Sequence, residues 1–195
     1  MGTMSPGTVQ KTKYMLSAAL MQLLEKRSFQ KISVGDICKE AMVSRSAFYL
    51  HFSDKYELMA FLLDRMIRLT EEQSCGKTPE MKLIAMLDNI QKNKKVIHNM
   101  MMADLSHEMM NIIMGTFEGV VRERLERLQR EGVSLPGSLT MITSFYAGGM
   151  ASVVMNWIRE NFKTPKEEVA ACQCDLLMRI LNVNQKDVRD IVEKW

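Results

Sequence analysis

Ile32-Ser-Val-Gly-Asp-Ile-Cys-Lys-Glu-Ala-Met-Val-Ser-Arg-Ser-Ala-Phe-Tyr-Leu-His-Phe-Ser-Asp-Lys55 is the stretch whose reading decides the fold. Ser33 and Ser44 each stand just ahead of a short run with helical patterning. A hydroxyl at that place accepts from backbone N–H groups that have no partner inside the helix. Val34, Ile37 and Ala41 share one face by helical spacing. Met42-Val43 lies between that face and the second cap, which leaves room for a turn of roughly three or four residues. The pattern predicts two short helices joined by a tight turn. Such a unit commonly sets its second helix in the DNA major groove.

The second helix is predicted over Arg45–His51. Arg45 is the candidate for base readout, with guanine as the natural partner of a bidentate guanidinium. Ser46 and Tyr49 would add contacts to base edges or a thymine methyl. Ser33, Ser44, Tyr49, His51 and Lys55, with Val34 beside Ser33, are the candidates for holding the phosphate backbone. Phe48 and Phe52, four apart, would pack inward. Lys55 is expected in the first turn of the next helix with Ser53 as its cap, where an ammonium and a helix N-terminus together favour a phosphate oxygen.

These residues resemble the TetR family of one-component transcriptional regulators. The resemblance is carried by Ala18 and Leu24 on an amphipathic leading helix, by Phe29, by Ser33-Val34 and Asp36-Ile37, by Ala41-Met42-Val43-Ser44, and by Phe48-Tyr49-Leu50-His51-Phe52-Ser53-Asp54-Lys55. It covers roughly residues 9 to 60 and departs from the family at Met42, where glycine is usual. Glycine suits a left-handed turn residue, and methionine there would cost about 1 kcal/mol. The resemblance implies an all-α protein: an N-terminal three-helix, helix-turn-helix DNA-binding domain over residues 1–55 and a helical effector-binding and dimerisation domain over residues 56–195.

Composition is consistent with this. The chain has 195 residues and a net charge of +3, with few Pro and Gly and no long alternating β-branched run. Residues 1–55 hold eight Lys+Arg against four Asp+Glu, whereas the rest hold 18 against 19, so the positive excess lies where DNA contact is expected. No apolar run is long enough for a membrane span, and the first residues lack the features of a signal peptide; a cytoplasmic location is expected. Cys38, Cys75, Cys172 and Cys174 are scattered on predicted helices, which argues against a disulfide framework. Cys172 and Cys174 point to different faces of their helix, so a redox or metal role would need other ligands. No metal-ligand spacing, Gly-rich phosphate loop or nucleophile elbow is present, so an enzyme is not expected.

Along the chain, helices are expected from about Val9 to Lys26, from Asp54 to Ser74, and from Pro79, capped by Thr78, to Gln91. Others are expected over Lys94–Met102, Leu105–Arg130, Ser138–Glu160 and Pro165–Leu181, the last opened by a Thr164/Glu167 capping box. A short helix from Asn184 to Trp195 would close the chain.

Methionine is abundant, at 19 residues. Met100, Met101, Met102, Met109, Met110 and Met114 cluster, and Phe117, Met141, Phe145, Tyr146 and Met150 could face them. Met101, Met110, Met114, Phe117, Met141 and Phe145 are read as lining an effector pocket, against the plainer reading of a methionine-filled core. His98, His107, Asp104 and Glu108 lie near this cluster and are as readily surface groups. The helix over Ser144–Ile158 is apolar on more than one face and requires burial on several sides.

In TetR-like proteins the last two long helices pair with their twofold mates. The resemblance therefore places Met155, Trp157, Val169, Cys172 and Leu176 at a homodimer interface. A second resemblance, of Gly148-Gly149…Trp157-Ile158 followed by Thr164-Pro165-Lys166-Glu167-Glu168, is to the Firmicutes-type TetR C-terminal domain. Two functions follow. The first is a homodimeric repressor released from a double-stranded DNA operator by a small apolar or amphipathic effector. The second is a TetR-like activator controlled by a protein partner.

Overall fold

The computed structural model describes residues 6–101 and 107–181 of the chain. These fold into α1 (Pro6–Leu24), α2 (Val34–Ala41), α3 (Arg45–Tyr49), α4 (Lys55–Gln73), α5 (Pro79–Lys92), α6 (Lys94–Met101), α7 (His107–Arg130), α8 (Leu139–Arg159) and α9 (Lys166–Ile180), with a 3-10 turn over Phe29–Lys31. Among the described residues there is no strand, and the expected all-α class holds. Met102, Asp104 and the helix expected after Asn184 lie outside the described residues.

The chain forms two compact units. One comprises Met1–Met66 and Asn93–Ile112, the other Ile67–Lys92 and Ile113–Trp195. The first is built on the inward stripe of α1. Leu16, Leu20 and Leu24 are fully buried, together with Ile37 of α2, Phe48 of α3 and Leu58 of α4. Phe52 links Phe48 to Phe61, with ring centroids 5.8 and 5.6 Å apart. Each ring removes large apolar area from water, and tilted pairs add to that burial. Arg65, the odd charged member of α4's inward stripe, donates from Nη1 to Ser17 Oγ at 2.9 Å and covers the Tyr14 ring. The sequence reading gave α6 to the second domain, yet it packs with α1: Asn99 Nδ2 donates to Leu24 O at 2.7 Å, closing an open carbonyl at the end of α1.

The second unit contains α5, α8, α9, the end of α4 and α7 from Ile113 onward. One cluster joins Val121, Leu125 and Leu128 of α7 to Ala147 and Met150 of α8 and Leu177 of α9. Another joins Leu83 and Leu87 of α5 to Val154 and Trp157 of α8 and Val169 and Ala170 of α9. Ion pairs flank these cores: Lys166 with Asp88 at 2.6 Å and Arg124 with Glu71 at 3.3 Å.

Two caps differ from expectation. At α4 the cap is Asp54, whose Oδ1 accepts from the Tyr56 and Glu57 amides at 2.8 and 2.9 Å. Ser53 instead donates its N–H and hydroxyl to Glu57. At α9 no Thr164/Glu167 box forms. Pro165 holds the cap position and has no side-chain acceptor to offer, while the Thr164 carbonyl accepts from Trp157 Nε1 at 2.7 Å. Thr78 does cap α5, accepting from the Met81 amide at 3.3 Å.

Candidate nucleic-acid interface

The helix-turn-helix is held by side chains that satisfy helix ends. Ser33 Oγ accepts from the Asp36 amide at 3.1 Å, and Asp36 Oδ2 accepts from the Ser33 amide at 2.9 Å and its hydroxyl at 2.7 Å. This reciprocal box satisfies two orphan donors. Arg27 Nη2 holds the other Asp36 oxygen at 3.1 Å. The backbone hydrogen bond from Ser33, then its hydroxyl and Arg27, bring the Asp36 carboxyl down from 3.8 to about 2.

At the far end of α2, Met42 adopts φ 53°, ψ 40°. The Val43 amide reaches back to Cys38 O at 2.9 Å, and the Met42 amide to Lys39 O at 3.2 Å. This left-handed closure turns the chain sharply into α3. The turn therefore keeps its left-handed residue although the side chain is methionine.

Ser44 opens α3 by accepting from the Ala47 amide at 3.1 Å. Phe48 is fully buried beneath it and anchors the helix. On the outer side Ser44, Arg45 and Ser46 are exposed, as are Tyr49 and Leu50. Ser33 is exposed at the start of α2 and Val34 is half-buried. Ser33, Ser44, Arg45, Ser46 and Tyr49 are thus all exposed on the helix-turn-helix. The exposed Leu50 was not singled out in the sequence, since an apolar residue in a short helix reads as core.

Lys55 and His51, also expected at the phosphate backbone, have polar atoms placed against the protein itself. The Lys55 ammonium donates to Phe29 O at 3.0 Å, Gln30 O at 3.3 Å and Ile32 O at 2.9 Å, and lies over the Phe29 ring. Its three donors are engaged by the carbonyls around the 3-10 turn. Burial lowers its pKa below the ordinary lysine value. At His51, Nε2 is enclosed without a hydrogen-bond partner.

The residues proposed for an effector pocket fall in both units. Met101 is buried and Met110 half-buried in the first unit, whereas Met114 and Phe117 are half-buried in the second. Met141 and Phe145 are 69% and 70% exposed on α8. Of the expected dimer residues, Met155, Trp157 and Val169 are buried within the protomer, with Trp157 edge-on to Phe162 at 4.8 Å. Cys172 and Leu176 are exposed on α9. Met141, Phe145 and Val153 therefore form the open apolar side of α8 within the protomer. All four cysteines are free, and burial pushes the Cys174 thiol up to about 11.

Comparison with known proteins bears on this arrangement. The family described as transcriptional regulator C-terminal region matches residues 77–179, over half of the chain, and the family of bacterial regulatory proteins, tetR family, matches residues 16–61. The chain belongs to the TetR family of transcriptional regulators. This TetR-family protein is accordingly a DNA-binding regulator and not an enzyme. It is 39% identical over 51 residues to the HTH-type transcriptional regulator EthR of Mycolicibacterium smegmatis, a match spanning 26% of this chain and 24% of that regulator.

Solved structures share the fold over nearly the whole described chain. The dihydroxyacetone kinase operon activator DhaS superposes with a TM-score of 0.60 at 18% identity, covering 88% of this chain and 97% of DhaS. A TetR regulator from Streptococcus agalactiae gives 0.60 at 23%, covering 87% and 95%. Thermus thermophilus FadR, a repressor in complex with lauroyl-CoA, gives 0.59 at 19%, covering 89% and 96%.

Proposed function

We propose that this TetR-family regulator is a homodimeric, cytoplasmic repressor released from its operator by a small apolar or amphipathic effector. The observation that carries the reading is the face of α3. A five-residue helix, capped by Ser44 and anchored by the buried Phe48, presents Arg45, Ser46 and Tyr49 to solvent. Exposed polar and aromatic side chains on so short an element do not serve packing; they suit base edges and phosphates. In this division of labour residues 1–55 read DNA and residues 56–195 dimerise and sense.

The open apolar side of α8 (Met141, Phe145 and Val153) and Leu176 of α9 support dimerisation through those helices. A twofold dimer would place two α3 helices about 34–36 Å apart, one DNA turn. The lauroyl-CoA complex of the structurally similar FadR supports an acyl effector class. The likeness to DhaS, an operon activator, supports the second reading, an activator governed by a protein partner.

The test is selection of binding sites from a randomised duplex pool, followed by titration of the complex with lauroyl-CoA and with shorter acyl-CoAs. The reading expects one palindromic site, two subunits per site, and release by at least one acyl chain length. Enrichment of no palindrome refutes the operator reading. An enriched palindrome that no acyl-CoA releases refutes the acyl effector and turns attention to the partner-controlled activator.

A further inference from the structure

Gly35 occupies the second residue of α2, where glycine is among the least favourable helix formers. Its φ is not positive, so the backbone does not require glycine. The reason lies in the space beside it. A Cβ built at position 35 would stand 2.6 Å from Arg45 Nη2, 3.5 Å from Arg45 Cζ and 3.5 Å from Ser33 Oγ. Arg45 comes from the other helix of the motif, and its guanidinium rests where the missing side chain would be. Its positive charge also acts on the Cys38 thiol, one helical turn further along α2. Arg45 has no ion pair to hold it elsewhere among the described residues, since Asp36 is engaged by Arg27.

We propose that Gly35 is a positioning residue for DNA recognition. The absence of a side chain at 35 leaves a shelf on α2 along which Arg45 lies, and this sets the line on which the guanidinium meets a base. The inference rests on Arg45 being the base-reading residue. A guanidinium held on one line before DNA arrives loses less conformational freedom on binding. A methyl group at 35 pushes its tip off that line. The long arginine can yield, so the fold survives and discrimination suffers.

The experiment uses the full chain, the site selected from a randomised duplex pool, and duplexes altered at each base pair in turn. Gly35→Ala, Arg45→Ala and the double variant are compared. Gly35→Ala is expected to melt no lower than the unmodified chain. It should lose about threefold or more discrimination, and only at the base pair that Arg45→Ala also affects. In the Arg45→Ala background it should change nothing. In the DNA-free protein the Arg45 Nε–Hε NMR resonance should move on Gly35→Ala. An unaltered base profile, an equal loss with Arg45 already removed, or an unmoved Arg45 resonance overturns the inference while the operator reading stands. A pool that yields no enriched site refutes the operator reading and takes this inference with it.

Discussion

Replacing Met42 by glycine should stabilise the protein. Met42 is the left-handed residue that closes α2, at φ 53°, and its side chain is 89% exposed. A side chain in this region crowds the following carbonyl at a cost of about 1–2 kcal/mol. Glycine removes that cost but gains freedom in the unfolded chain worth about 0.4–1 kcal/mol. Almost no burial is lost, because the methionine covers almost nothing. The net gain is therefore about 0.8 kcal/mol at the middle of these ranges, or about 2–3 °C in midpoint for a chain of this length. Thermal melts and urea titrations of the unmodified chain, Met42→Gly, Met42→Asn and Met42→Ala provide the assay. Alanine keeps the left-handed penalty and should gain nothing, while asparagine should fall between. If alanine stabilises as much as glycine, the effect comes from removing an exposed apolar side chain. The conformational argument is then refuted.

Lys55→Met, which keeps the stem and deletes the ammonium, should destabilise by about 1–3 kcal/mol in urea unfolding, since three carbonyls lose their shared donor. The folded fraction should keep its salt dependence of DNA binding; a slope flatter by about one would restore a phosphate contact. The Asp36 carboxyl has its folded pKa depressed to about 2 from 3.8, so its stabilising contribution is present above pH 3.8 and lost as pH falls through 2. Asp36→Asn should flatten the acid limb of stability in that window, measured by circular dichroism, and an unchanged limb would contradict the assignment. Phe145→Asp, on the open side of α8, should shift the protein toward monomer in sedimentation without lowering its helix content, because the side chain makes no core contact. A dimer of unchanged strength would place the interface elsewhere.

The reading motif was legible in the sequence because its signals are local. Ser33 and Ser44 lie within three residues of the amides they satisfy, and the Val34, Ile37 and Ala41 stripe needs only helical spacing. The left-handed turn at Met42 was legible from the place of the residue rather than its type. What depends on distant partners was not legible. Lys55 reads as a free cation at a helix start, yet its acceptors lie 23 to 26 residues earlier. Trp157 reads as an interface aromatic, yet its indole is used up by the Thr164 carbonyl. Periodicity identified α6 as a helix but carried no information about which core it joins; Asn99, 75 residues from its acceptor at Leu24, supplies that. Gly35 carried one faint signal, a poor helix former inside a helix, whose meaning needed the coordinates of Arg45.

The Lys55 ammonium has a mechanical consequence. It grips the carbonyls of Phe29, Gln30 and Ile32, the residues immediately ahead of the Ser33 cap. The first turn of α4 and the entry to α2 are thus clamped together by this ammonium, beside the edge-on packing of Tyr56 on Phe29. A tilt of that turn carries the entry of α2 with it, as a handle carries the base of a blade. A displacement of that first turn would therefore move the start of α2 as well, and with it the capping box that Ser33 and Asp36 form.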